Sequence, residues 1–457
     1  MVDIDNYHYL KQLPKGWQLK KFDDLILEKR NGIYKKKEFH GRGTKIINMG
    51  ELFGYDFISN QEMKRIELNE KERDKYLVRD GDLLFARRSL VLEGSGKCSL
   101  IVNPKEETTF ESSMILTRIN QKEVNSKFLY YLFASPLGRA LMASIASQTA
   151  VSGITGSNLV ELIIPVPPLP TQRKIAGILS AYDDLIENNA RRIEILEEMA
   201  RMLYREWFVK FRFPVGDGED GGNGGGDRPS SNHPVELVES ELGLIPKGWE
   251  VKTLKDVCTK INYGFTAKAQ DTQNSESDPK FLRITDIVPS VIDWERVPYC
   301  EIEERKIDQY LLSEGDIVIA RTGATVGYAK RLHKRHEKTI FASYLVRLRV
   351  DESIVKNEYI GLIVESDEYK QFIKANMTGS AQPQANAQIM TSLPILIPPQ
   401  ELQEKFKKIV TDILDQKELL QIKNINLRKT RDLLLPRLIS GEIDVEELDI
   451  NLGAMND

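Results

Sequence analysis

"YLVRDGDLLFAR" occupies residues 76–87, and "YLLSEGDIVIAR" occupies residues 310–321. Both hold a Gly-Asp pair, a short apolar run and a closing Ala-Arg. Such a pair ahead of an apolar run predicts a tight turn feeding a buried strand. Working outward, other phrases recur in the same order. "LPKGW" (13–17) stands before the first stretch and "IPKGW" (245–249) before the second, in a chain with only four tryptophans. "FESSM" (110–114) and "FASYL" (341–345) follow, then "IIPVPPLPTQRKI" (163–175) and "PILIPPQELQEKF" (394–406). The offset drifts from 234 to 231 residues while the order holds, so the chain reads as two diverged copies of one unit of about 200 residues.

Within each copy the first part predicts a mixed α/β domain. "FESSMILTRI" and "FASYLVRLRV" alternate like half-buried strands, and "SKFLYYLFASPLGRALMASI" and "NEYIGLIVESDEYKQFIKAN" carry helical spacing. Pro167-Pro168 and Pro398-Pro399 then stop a strand and precede a helix. The next segment differs in kind. Ile175, Leu179, Tyr182, Ile186, Asn189, Ile193, Leu196, Ala200, Leu203 and Trp207 step by fours and threes, which is a heptad seam. At about 1.5 Å per residue the helix makes a rod of roughly 58 Å. The second copy repeats the step through Phe406, Val410, Ile413, Lys417, Leu420, Asn424, Leu427, Arg431, Leu434 and Leu438. Asn189 and Asn424 either fix register as buried polar residues or sit at a solvated part of the seam. One such helix alone would expose its apolar stripe, so the two are expected to pair. "PVGDGEDGGNGGGDRPSSNHP" (214–234) reads as a flexible tether that lets them do so antiparallel.

Composition bounds the function classes. The 41% hydrophobic and 29% charged residues describe a globular protein of two or three domains. No apolar run nears the roughly 18 residues of a membrane span, and the N-terminus lacks the form of a secretory signal. Cys98, Cys258 and Cys300 make neither a zinc pattern nor a disulfide framework, so a cytoplasmic protein with no metal is expected. Net charge is −4, but residues 214–242 hold seven acids and one base, and residues 441–457 six acids and no base. The remainder carries 63 bases against 55 acids. Residues 28–45 and 328–349 each hold seven bases; they are either solvated loops or electrostatic footprints for nucleic acid. No P-loop, no dinucleotide fingerprint, no H-E-x-x-H and no Asn-Pro-Pro-aromatic tetrapeptide occurs. No catalytic residue is assigned.

The tandem "PKGW … GD-[LI]-[LV]-x-AR … PP-x-x-x-Q" pattern, each copy followed by a long helix, resembles the specificity subunit of type I restriction–modification systems. "LYREWFVKFRFP" (203–214), "ESELGLIPKGWEVKTLKDV" (239–257) and "TRDLLLPRLISGEIDV" (430–445) strengthen the likeness, which spans essentially the whole chain. The resemblance implies an α+β architecture: two tandem mixed α/β target recognition domains held apart by a pair of long antiparallel coiled-coil helices. The implied domains are 1–170 and 239–399, with helices at 171–213 and 400–442, the acidic Gly-rich linker at 214–238 and an acidic tail at 443–457. It implies a non-catalytic chain in which each domain reads one half of an asymmetric site on double-stranded DNA. The helices would space the halves and dock two adenine-N6 methyltransferase subunits, which bring ATP-dependent restriction subunits. S-adenosylmethionine and ATP with Mg would be bound by those partners, with no cofactor in this chain and no membrane.

Candidate DNA contacts follow from residue type. Lys35, Lys36, Lys37, Arg42, Arg87 and Arg88 are expected in the first copy, with Arg321, Lys330, Arg331, Lys334 and Arg335 as second-copy counterparts. Lysine clusters hold phosphates, whereas Arg, Asn and Gln read base edges. Gln148, Gln382, Gln384 and Asn386, in polar loops before the Pro-Pro elements, are therefore base-reading candidates, or members of ordinary polar loops. Two rival readings are a coiled-coil scaffold that binds only protein and a self-contained DNA-modifying enzyme.

Overall fold

In the computed structural model, residues 13–89, 94–147, 152–214, 236–333, 338–377 and 384–448 are described. The chain divides into two compact units, Met1–Ile186 with Leu427–Asp457, and Glu187–Asn426. Each unit therefore combines one mixed domain with portions of both long helices. The expected linker lies, over residues 215–235, outside the described residues, as do residues 449–457 of the acidic tail.

The first unit is built on a five-stranded sheet with spatial order Ile26–Asn31, Met114–Ile119, Leu83–Ala86, Cys98–Ile101 and Phe57–Ile58. Leu83–Ala86 is the strand of the opening phrase, and all four of its residues are buried. The Gly-Asp pair before it has two tasks. Gly81 takes φ +82°, which a residue with a Cβ adopts only at a cost. Asp82 accepts the Arg79 N–H at 2.7 Å and receives Arg118 in a two-pronged contact at 3.0 and 2.8 Å, tying the turn to the Met114–Ile119 strand. Helices Ser126–Ala134 and Pro136–Ile145 cover the sheet, with Phe22, Phe85 and Phe133 meeting edge to face beneath them.

The second unit repeats this frame. Its sheet runs Cys258–Tyr263, Leu345–Val350, Ile317–Ala320 and Ala329–Arg331. Gly315 takes φ +81°, Asp316 accepts the Ser313 N–H at 2.8 Å, and Arg349 grips Asp316 with two contacts of 2.7 Å. Helices Asn357–Val364 and Asp367–Asn376 stand where Ser126–Ala134 and Pro136–Ile145 do in the first unit. The glutamine of the "PP-x-x-x-Q" phrase explains its own spacing. Buried Gln172 accepts the Asn125 N–H at 2.8 Å and donates to the Pro167 carbonyl at 2.8 Å; buried Gln403 does the same with Lys356 and Pro398 at 2.9 and 2.7 Å. A single side chain thus locks the strand-to-helix elbow onto the helical layer.

The long helices run Leu169–Tyr204, continued as a π-helix over Arg205–Val209, and Gln400–Ile439. Every seam position of both is buried or half-buried. In the second unit they pair antiparallel: Trp207 meets Phe406, Glu197 meets Lys417, and the Asn189 amide donates to the Asn424 oxygen at 2.9 Å. In the first unit Arg431 pairs with Asp183, which also accepts the Tyr131 hydroxyl at 2.5 Å. Burial works against the Arg431 charge, but Asp183 and Asp432 hold its guanidinium above its ordinary value. The repeated tryptophans receive the helix ends. Phe211 and Phe213 lie 5.5 and 5.6 Å from Trp249, at the end of the first long helix. Gly441, just past the second helix, lies so near Pro14 and Trp17 that a Cβ there would stand 2.3 Å from the proline ring.

Candidate nucleic-acid interface

Three loops converge beside the main sheet of each unit, and the same backbone contacts hold them. In the second unit, the Arg321 N–H donates to the Tyr344 carbonyl at 3.0 Å and the Arg321 carbonyl accepts the Ala385 N–H at 3.0 Å. In the first, Arg87 N–H donates to Ser113 at 2.8 Å and the Arg87 carbonyl accepts from Ile154 at 3.0 Å. Gly264 N–H donates to Leu345 and Gly32 N–H to Met114, each at 3.2 Å. Both glycines are required by close approach, since a Cβ would stand 2.2 and 2.1 Å from backbone oxygen. The residue before each glycine differs: Tyr263 in one unit, Asn31 in the other.

The second unit's cluster is the fuller one. The Arg321 guanidinium lies 4.6 Å from the centre of the Tyr263 ring, and the Tyr263 hydroxyl accepts the Ala387 N–H at 3.1 Å. Thr322 bridges Gln384, which is exposed. Asn386 caps the helix Ala387–Thr391, its side-chain oxygen accepting the Ile389 N–H at 2.9 Å, so that oxygen already has a partner. In the first unit, Arg88 and Ser89 pair with Gly153 and Ser152, with the Arg88 side chain exposed. Arg87, Arg321, Gln384 and Asn386 are thus brought into equivalent loop clusters. Gln148 and Gln382 lie outside the described residues.

The basic patches divide differently from the sequence-based expectation. Lys36 and Lys37 are exposed, without an ion pair among the described residues. Lys35 instead donates to Glu72 at 2.6 Å and stands 4.8 Å over the Phe39 ring, and this bond holds the Glu72 carboxyl below its usual range. Arg42 is exposed but paired with Glu67. In the second unit, Lys330 and Arg331 are not counterparts of Lys35–Lys37. They belong to the Ala329–Arg331 strand, which pairs with Ile317–Ala320 as Cys98–Ile101 pairs with Leu83–Ala86. Lys330 donates to the Ser290 carbonyl at 2.9 Å. The Arg331 side chain is largely buried, 3.5 Å from buried Glu358, and both basic residues line a cleft that Leu414, Lys417 and Gln421 of the second long helix help to close. The segment matching Lys35–Lys37 follows Gly264 and holds one exposed base, Lys268. Lys334 and Arg335 lie outside the described residues.

The model of the type I restriction modification DNA specificity domain matches residues 14–198 and 246–429. The chain belongs to this family. The family match falls twice, once on each copy of the repeat. Among specificity-subunit relatives, the MjaIX type I restriction enzyme specificity subunit of Methanocaldococcus jannaschii is 28% identical over 441 residues, covering 96% of each chain. The HindI specificity subunit of Haemophilus influenzae is 23% identical over 87% of this chain and 94% of its own. The EcoKI specificity subunit of Escherichia coli K12 is 27% identical over 176 residues, 37% of this chain and 38% of its own. The crystal structure of the S subunit of a type I restriction–modification system from M. genitalium shares the fold, with a TM-score of 0.58 at 15% identity over 92% of this chain and 96% of that one.

Among the described residues no group of three or more His, Cys, Asp or Glu is placed to hold a metal ion, and no single helix is long and apolar enough to cross a membrane. The three cysteines are free, and burial pushes the Cys258 and Cys300 thiols up to about 12, far from the thiolate form a nucleophile needs. Sequence reasoning missed Tyr263 and Lys268. The signal was the Asn-Gly-Ile and Tyr-Gly-Phe pair at 31–33 and 263–265, three residues too short to stand out.

Proposed function

We propose that this chain is the sequence-reading subunit of a type I restriction–modification complex, each unit recognising one half of an asymmetric, bipartite site on double-stranded DNA. The duplication of one loop frame carrying different residues supports the reading most directly: Arg87 with Asn31 in one unit, Arg321 with Tyr263 in the other. Identical scaffolding that sets a different residue, Asn31 or Tyr263, beside the shared arginine suits two different half-sites. Lys36, Lys37 and Lys268 would hold phosphates and position the loops. The paired long helices would act as spacer and as docking surface for two adenine-N6 methyltransferase subunits, and through them for ATP-dependent restriction subunits. An apolar stripe on the first helix fits a protein partner. Ile195, Met199 and Met202 recur on one face and are 60%, 43% and 49% exposed. S-adenosylmethionine, ATP and Mg would be bound by the partners, and this chain would supply no catalytic group.

The test is to express the chain with its modification subunits and map N6-methyladenine across the host genome. A split, asymmetric motif that vanishes without this chain is expected. Methylation or cleavage of DNA by the purified chain alone would favour the self-contained enzyme, and salt-insensitive or absent DNA binding with partners present would favour the scaffold.

A further inference from the structure

Arg321 is the best-prepared base reader in the second unit. Its backbone is held on both sides, by Tyr344 and Ala385, so the Cα is fixed by the sheet rather than by a free loop. Its guanidinium rests 4.6 Å from the Tyr263 ring centre, and that ring is itself held by the hydroxyl's bond from the Ala387 N–H. No hydrogen bond or ion pair of the guanidinium is found among the described residues, and its Nε is buried without a partner. A guanidinium stacked on one face and unpaired at its edge has its donors aimed in a plane and its rotamer already restricted. The surface around it suits nucleic acid: Gln384 and Tyr344 are exposed, and no carboxylate among the described residues is paired with it. The neighbouring cations do not share this preparation. Lys330 and Arg331 already have protein partners.

We infer that the second unit's half-site contains a guanine whose O6 and N7 edge is read by Arg321 in the major groove, with Tyr263 as the residue that positions the guanidinium. The planar fork matches the two acceptors of guanine, whereas adenine presents a donor at the corresponding edge. Ring support is specific to this unit, since Asn31 stands at the matching position of the other. The inference rests on the proposed DNA-reading function, and its test separates the two. The full chain and its modification subunits are compared with versions carrying Arg321→Lys, Arg321→Ala or Tyr263→Ala, by mapping methylated motifs and by measuring binding to duplexes with each base at each motif position.

Arg321→Lys retains the charge but loses the fork. The expected result is that one guanine position in one half-site becomes degenerate, with discrimination there falling roughly 5- to 150-fold. The other half-site and the salt dependence of binding should stay unchanged. Arg321→Ala should relax the same position, and Tyr263→Ala should weaken it less. Full discrimination in the Arg321→Ala protein would overturn the inference. So would Arg321→Ala weakening all sequences equally while lowering the salt slope by about one, the mark of a phosphate contact. A natural chain that gives no split motif with its partners would overturn the wider reading instead.

Discussion

At the scale of single residues, the repeated short phrases mark places where one side chain does a job its neighbours cannot. Asp82 and Asp316 are buried carboxylates, each gripped by an arginine from the second strand of its sheet. Asp82→Asn keeps the shape and takes from Arg118, itself largely buried, one of its two carboxylates, with Glu28 still at 2.7 Å. Urea unfolding of the first unit should show a loss of about 1.5 kcal/mol. Asp316→Asn should cost more, about 3 kcal/mol, since the fully buried Arg347 side chain 3.8 Å away has Asp316 as its one carboxylate partner among the described residues. Equal losses would argue against burial as the cause. The lysines give a second residue-scale outcome. Replacing Lys36 and Lys37 with alanine should flatten the salt dependence of DNA binding by about two ions, while Lys35→Ala, whose partner is Glu72, should barely change it. The sequence marked these lysines by charge density alone. It could not show that Glu72, 37 positions away, occupies one of them.

At the scale of elements, the long helices were legible because a heptad is a local pattern: spacing alone marks the buried face. Taken forwards along the first seam and backwards along the second, Trp207 falls opposite Phe406 and Asn189 opposite Asn424, the pairs joined in the structure. Asn189→Leu should destabilise the helix pair by about 1–2 kcal/mol, by taking a hydrogen-bond partner from buried Asn424. The double change with Asn424→Leu should recover that loss and loosen register, seen as added heterogeneity in disulfide trapping between the helices. A single change with no effect would mean the pair sets nothing. On the outer face, Ile195→Glu with Met199→Glu should abolish capture of the modification subunit in pull-downs without altering the thermal unfolding of the chain. The strand elements were less legible. The Ala329–Arg331 strand looked like a basic loop because its charges dominate its three residues, while the pairing that defines it lies with Ile317–Ala320.

At the scale of the molecule, duplication was the strongest signal in the sequence, since order and spacing survive when identity does not. The segments between the phrases, 31–75 and 262–309, carry almost no common residues, so backbone contacts align them: those of Gly32 and Gly264, and the parallel pairing of Ile47 with Phe110 and of Leu282 with Phe341. Exchange of one such segment for that of another family member should rewrite one half of the methylated motif and leave the other half intact. The central claim is that one chain reads two words and that its paired helices set the gap between them. The most direct measurement is the methylated motif of a protein lengthened by one heptad in each helix beside Asn189 and Asn424, which keeps the seam in phase. Seven residues at about 1.5 Å each add about 10 Å, close to three base-pair steps of about 3.4 Å. The result expected is both half-sites unchanged and the gap longer by about three base pairs. Both half-sites retained with the gap unaltered would contradict it.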